Sequence, residues 1–382
     1  MLDPHELRAR IPHDVFELPR VRTLGKALFL IALVLGLAGA ATVSDSLLVK
    51  IVLGFVAGVP LFTLAAVGHE SGHRSASRSE FLNDLCGTLS MSILGIPARG
   101  WKLKHDIHHR NTGVLGVDSD AQVPVSGYLA LSTVGRLAVR IINHYEWAFW
   151  PLTPFLLWTT TWSHGLRILT EGRRENPRTW WWNLSDLVIA SAFFGALGIY
   201  TVVFGFTNLA LCVALPFGVA GVVGAATFVT NHRNLPPLDV EQSRRVAKYS
   251  YVNTRSVLFP AAVPGNYFMN YVPWQIEHHI YPTIPGYKLD RVTPHLQAFG
   301  REKGATLHYE PFFKNIFEVA SSRFAWGADG KLYRFTELEQ MIAEGRTEGY
   351  FPGRDGETTP KPGNSRPDMR RRREFLDALL MR

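Results

Sequence analysis

The chain has 382 residues, of which 47% are hydrophobic, 12% aromatic and only 19% charged. The length alone would allow two or three soluble domains, but that apolar excess argues against an ordinary soluble enzyme. The formal net charge of +8 comes without a recognised nucleic-acid-binding motif, so it points to anionic lipid headgroups or to an acidic soluble electron carrier.

In chain order, a cytoplasmic N-terminal segment, 1–23, carries Arg8, Arg10, Arg20 and Arg22. Two apolar runs follow, Leu24 to Val43 and Leu47 to Val67, each about the 20 residues a helix needs to cross a hydrocarbon core. They predict a first transmembrane hairpin over 24–67. The first run could instead be a secretory leader, but no small-residue cleavage site stands out and a second run follows at once.

A cytoplasmic and interfacial region spans 68–183. Within it, "CGTLSMSILGIPARGW" is too short and too broken by Gly and Pro to span, and "HYEWAFWPLTPFLLWTTTW" and "TWWWN" have the Trp content of the headgroup zone. A second hairpin is predicted over 184–229, from the runs Leu184 to Gly205 and Leu209 to Val229. The turns "VSDS" and "GFTN" contain no Lys or Arg, so the positive-inside rule puts both termini and both long polar regions on the cytoplasmic side. Lys50 and Asp186, near the ends of the runs, are expected to reach the interface. A cytoplasmic cap, 230–351, and a basic mobile tail, 352–382, complete the chain. The predicted fold is all-α and integral to the membrane: four transmembrane helices in two hairpins, with a helical cap.

Only two cysteines occur, Cys86 and Cys212, which excludes a disulfide framework and a thiolate metal site. A metal would need nitrogen or oxygen ligands, and the sequence supplies nitrogen in clusters. "HESGH" sets His69 and His73 at i, i+4; "HDIHH" sets His105, His108 and His109 at i, i+3, i+4; "QIEHH" repeats that spacing with Gln275, His278 and His279. On a helix each group presents a single face. His232, at the exit of the fourth run, brings the candidate ligands to eight. Zinc closes with four ligands, or three and a water, so eight imidazoles fit two metal ions better than one. Glu70, Asp106, Asp118, Asp120, Gln275 and Glu277 lie beside the clusters, where a carboxylate can accept the second ring N–H of a ligand. Lone histidines such as His144, His164, His295 and His308 are read as ordinary surface residues.

"HESGH", "WKLKHDIHHRNTG" followed by "DSDAQVP", and "QIEHHIYPTIPGYKL" together resemble the three histidine boxes of the membrane fatty acid desaturases. The resemblance runs from about Phe62 to Leu289, and the second box is most similar to the acyl-lipid delta-12 and omega-3 type. It implies a non-haem di-iron enzyme that uses O2 and two electrons to introduce a cis double bond into an acyl chain. The implied iron ligands are His69, His73, His105, His108, His109, His278 and His279, with His232 matching the histidine that members place after the fourth span. Gln275 departs from the commoner His and is characteristic of front-end desaturases, which leaves regioselectivity open. Electrons would come from a separate ferredoxin or cytochrome b5.

Three other readings are weighed, of which a metal-binding or transport protein would need ionisable residues near the middle of the spans, where the sequence has none. The same site could hydroxylate or ketolate a lipid or carotenoid, and "HESGH" also satisfies the H-E-x-x-H pattern of zinc proteases. The protease reading leaves the other two clusters unexplained.

Overall fold

The computed structural model describes residues 1–346 apart from 115–117, 119–122, 174–175, 239–241, 243–244, 261–264, 320–323 and 328–330. The tail expected over 352–382, and Asp120 with its neighbours in "DSDAQVP", lie outside the described residues; Asp118 lies within them.

The architecture is helical, with two small sheets among the described residues. A short helix α1 (Pro4–Arg8) precedes α2 (Arg22–Val43), α3 (Leu47–Gly72), α4 (Glu80–Ser92) and α5 (Ala98–Asn111). Next come α6 (Val125–Leu129), α7 (Thr133–His144), α8 (Glu146–Phe149), α9 (Thr153–Glu171), α10 (Pro177–Asn208) and α11 (Leu215–His232). The strands β1 (Arg255–Leu258) and β2 (His308–Pro311) pair in parallel, with Arg255 opposite His308. β3 (Phe324–Trp326) and β4 (Leu332–Arg334) pair antiparallel, with Ala325 opposite Tyr333.

Three helical stretches are long and apolar enough to cross a membrane: Arg22–Val43, Leu47–Gly72 and Pro177–His232. Their outward side chains include Phe29, Leu48, Val202 and Phe206, exposed by 63, 69, 87 and 76%. Such a continuous apolar surface suits lipid rather than water, and the chain is an integral membrane protein.

The third stretch is not a straight rod. Gly205 sits at φ +81°, ψ 167°, a conformation open essentially to glycine alone, and a π-helical turn, Leu209–Ala214, follows. The chain reverses there. The rings of Phe193 and Phe217 lie 5.9 Å apart, whereas a straight helix would separate these positions by roughly 36 Å. The sequence places this turn at the same four residues, "GFTN".

The reversal lies beside the α2–α3 turn. Lys50 Nζ donates to the carbonyls of Ala41 (3.1 Å) and Thr42 (3.0 Å) and to Asn208 Oδ1 (2.5 Å), and the Thr42 and Tyr200 hydroxyls are 2.6 Å apart. Glycines allow α3 and α11 to touch: a Cβ on Gly58 would stand 2.4 Å from Val219 Cβ.

Asp186 differs from its expected place near the interface. It is fully buried, accepting from Arg99 Nη1 (2.9 Å), the Arg99 backbone N–H (2.9 Å) and Thr88 Oγ1 (2.7 Å). Arg99 also reaches Asp84 at 2.9 Å. The carboxylate avoids water because a guanidinium and a hydroxyl replace it.

Two cores support the region that carries the histidine clusters. Leu30, Leu61, Leu64, Val67, Met91 and Phe217 join α2, α3, α4 and α11. Beyond them Leu7 and Val15 of the N-terminal segment pack with Ile276, Leu289, Leu296 and Phe299, so the first residues of the chain help to hold the third histidine cluster.

Candidate metal centre

The eight histidines singled out in the sequence converge, although they come from positions as distant as 69 and 279. They form two adjoining groups. His69, His73, His105, His109 and His278 make one and His108, His232 and His279 the other, with one nitrogen from each residue within 4.8 Å of the rest of its group. The pairs that are adjacent in sequence divide between them: His108 from His109, and His278 from His279. Successive residues on a helix point about 100° apart, so one turn can serve two neighbouring sites.

The hydrogen bonds identify the nitrogen each imidazole offers in the second group. His108 Nδ1 donates to Asp118 Oδ1 (2.9 Å) and His232 Nδ1 to the Asn253 carbonyl (3.2 Å). The Thr112 hydroxyl donates to the His108 carbonyl (2.9 Å), so it accepts from His279 Nδ1 (3.3 Å). A neutral imidazole protonated at Nδ1 keeps its lone pair on Nε2, so all three present Nε2.

In the first group, His105 Nε2 lies 2.9 Å from His73 Nε2 and 3.0 Å from His109 Nε2. His69 Nε2 and His278 Nε2 are buried without a hydrogen-bond partner. Nitrogens bound side by side at about 2.1 Å from one ion stand roughly 3 Å apart, so five converging ring nitrogens, in a group where two Nε2 atoms are otherwise unsatisfied, fit a bound cation. Burial, reinforced by the neighbouring imidazoles, pushes His73, His105, His109, His278 and His279 well below the usual histidine range. They are therefore neutral at physiological pH, the form that binds metal.

Of the neighbouring polar residues, Asp118 bonds a cluster imidazole directly. Its second oxygen accepts from the Gly113 N–H at 2.8 Å. Gly113 has φ +76°, and a Cβ there would lie 1.1 Å from Asn253 Nδ2, which accounts for the glycine of "NTG". The other candidates are engaged elsewhere. Glu277 accepts from Ser256 (2.8 Å), Thr293 (2.6 Å) and Tyr309 (2.7 Å), and burial still raises it above the ordinary carboxyl range. Glu70 accepts from Asn270 Nδ2 (2.9 Å) and the Gly286 N–H (3.2 Å), Asp106 pairs with Lys102, and Gln275 donates to the Val272 carbonyl (2.7 Å).

Sequence reasoning passed over Trp101, Thr112 and Asn253. Trp101 stacks on His105 with centroids 4.5 Å apart, a contact its i, i+4 spacing foretells. Thr112 stands in the quoted second box. Asn253 acts through its backbone carbonyl, for which no side-chain pattern exists. Asp118→Asn is expected to weaken metal binding about 10–100-fold, measured by chelator competition on the purified protein. Unchanged affinity would remove Asp118 from the site.

An integral membrane protein with a largely buried nest of eight histidines has the ligands of a membrane metalloprotein. The comparisons narrow the class. The family model for fatty acid desaturases matches residues 45–311, and the chain belongs to that family. It is 27% identical over 342 residues, 86% of this chain and 89% of the relative, to an sn-1 acyl-lipid omega-3 desaturase (ferredoxin) of Nostoc sp. (strain 36). A protein of the same description from Synechocystis sp. is 37% identical over 121 residues, 32% of this chain and 33% of its own. An sn-1 oleoyl-lipid 12-desaturase, also from Synechocystis sp., is 28% identical over 247 residues, 61% of this chain and 64% of its own. The chain is therefore an oxidoreductase acting on fatty acyl groups.

Proposed function

We propose that the chain desaturates an acyl chain carried on a membrane lipid, with O2 as oxidant, ferredoxin as electron donor and iron held by the eight histidines. The observation that carries this reading is the division of those histidines into two adjoining groups of five and three. Imidazole also suits zinc, copper and nickel, and iron follows from the family chemistry. The donor and the lipid-borne substrate follow from the printed names of the relatives, two of which are ferredoxin-dependent acyl-lipid desaturases.

In this reading four helices cross the membrane: α2, α3, α10 and α11. Segments 1–23, 68–183 and 230–351 meet the cytoplasm, and the basic residues at 8, 10, 20 and 22 support that orientation. The reaction converts –CH2–CH2– to –CH=CH–, and the two hydrogens removed from the chain, together with O2, two electrons and two protons, become two waters. Bound iron supplies oxygen activation and hydrogen abstraction.

The protein holds His108, His232 and His279 in one tautomer through Asp118, Asn253 and Thr112, and it gives the acyl chain an apolar bed. Between α2, α3 and α10 lies a cavity of about 450 Å³ lined by Val34, Leu61, Ile93, Phe193 and Phe217 among others. It has few polar groups, as a methylene chain requires. Phe62 and Phe228, 6.0 Å apart, share the core of Leu61 and Phe217, and Phe228 lies 6.1 Å from the His69 ring.

Lipid analysis of a host expressing the chain, with the double bond located by mass spectrometry, tests the reading. A new unsaturated lipid and iron on the purified protein are expected. An oxygenated product would turn the same site into a hydroxylase, and bound zinc without product would overturn the reading.

A further inference from the structure

Part of the nest is walled by aromatic rings. Trp101 and Phe228 lie edge-on or tilted against His69 at 5.5 and 6.1 Å. One side is different. A chamber of about 280 Å³ opens at the start of α2, where Arg22, Lys26, Tyr267 and Tyr287 surround it. A second chamber of about 20 Å³, room for about one water, touches His69 and His278. The two share three residues as a common wall: Glu70, Asn270 and Tyr271.

That wall is tied across by one side chain. Asn270 Nδ2 donates to Glu70 Oε2 at 2.9 Å, and its Oδ1 accepts from Lys26 Nζ at 2.8 Å. The backbone that holds it is unusual. Asn270 and Tyr271 are consecutive non-glycine residues at φ +48° and +61°. Left-handed backbone at a bulky residue is strained and persists where the surroundings enforce it. Here it aims the Asn270 amide between the two chambers.

Desaturation gives this route a purpose. Each double bond takes up two protons and leaves two waters, and neither crosses an aromatic wall readily. We propose that the two chambers form a polar access path for water between the cytoplasmic membrane surface and the metal nest, with Asn270 as the latch that separates them. Closed, the latch limits solvent at the nest while the oxidising step proceeds; open, it connects both chambers. Asn270 is thus a positioning residue, acting through Glu70 and the enclosed water. The inference rests on the desaturase reading, but its deciding measurement, azide association, does not need turnover.

The probe is azide, a small anion whose association with the metal-loaded protein in detergent is followed by stopped-flow absorption. Asn270→Ala is expected to raise the association rate about tenfold by removing about 1.4 kcal/mol of barrier. Tyr267→Trp, at the outer mouth, is expected to lower it with metal content unchanged. Peroxide released per O2 consumed should rise in Asn270→Ala, because solvent then reaches the nest during turnover. If Asn270→Ala fails to load metal, Tyr267→Trp decides alone. Azide rates equal to wild type in every metal-loaded variant overturn the path while leaving the desaturase reading intact. Wild-type protein that binds no metal overturns both.

Discussion

His108→Ala is expected to abolish desaturation while the protein still inserts, folds and keeps about half of its metal. His108 belongs to the group of three with His232 and His279, and two imidazoles do not hold an ion against competing water. The group of five does not use His108 and retains its Nε2 atoms. The counterpart, His105→Ala, strikes the group of five at its centre, since His105 Nε2 touches both His73 and His109. Elemental analysis per chain, read beside lipid analysis, separates the two. Full turnover in His108→Ala, or loss of all metal with unfolding, would show that the two groups are not two sites.

The largest effect on stability is expected from Arg99→Met. Asp84 would keep Arg74 and Arg178, each at 2.7 Å, but Asp186 would be left fully buried with Thr88 and one backbone N–H. Stranding a buried charge in this way costs about 3–5 kcal/mol. A lower melting temperature in detergent checks it, and Arg99→Met combined with Asp186→Leu should recover most of the loss, because the pair is then replaced rather than broken. A single variant that melts like wild type would show that water reaches Asp186 after all.

Much of this molecule was legible from residue spacing. Long apolar runs mark the helices that are apolar enough to cross a membrane, where Phe29 and Val202 face outward, and the three clusters mark the histidines that converge. The shared site was legible only through topology: the runs bring distant histidines to one end, and the structure adds which imidazole goes with which. That pairing depends on side-chain direction, and a 100° step between neighbours is invisible in a string of letters. Asp186 was misread for a related reason. Nothing near position 186 announces Arg99, and a carboxylate near a helix end looks hydrated until its partner arrives from another element. Asn270 and Asn253 were missed because one works through an unusual backbone angle and the other through a carbonyl, neither of which carries a sequence signature.

The bonds at the two ends of the helical frame constrain how it deforms. At one end Lys50 ties the α2–α3 turn to Asn208; at the other Arg99 ties α5 to α10 through Asp186. Only α10 carries both ties, so it can neither slide past its neighbours nor splay at a tip without exposing a charge to an apolar surrounding. The freedom left to it is to bow between Asp186 and Asn208, the stretch that puts Phe193 and Tyr200 on the wall of the apolar cavity, so that cavity can change width without either clasp opening.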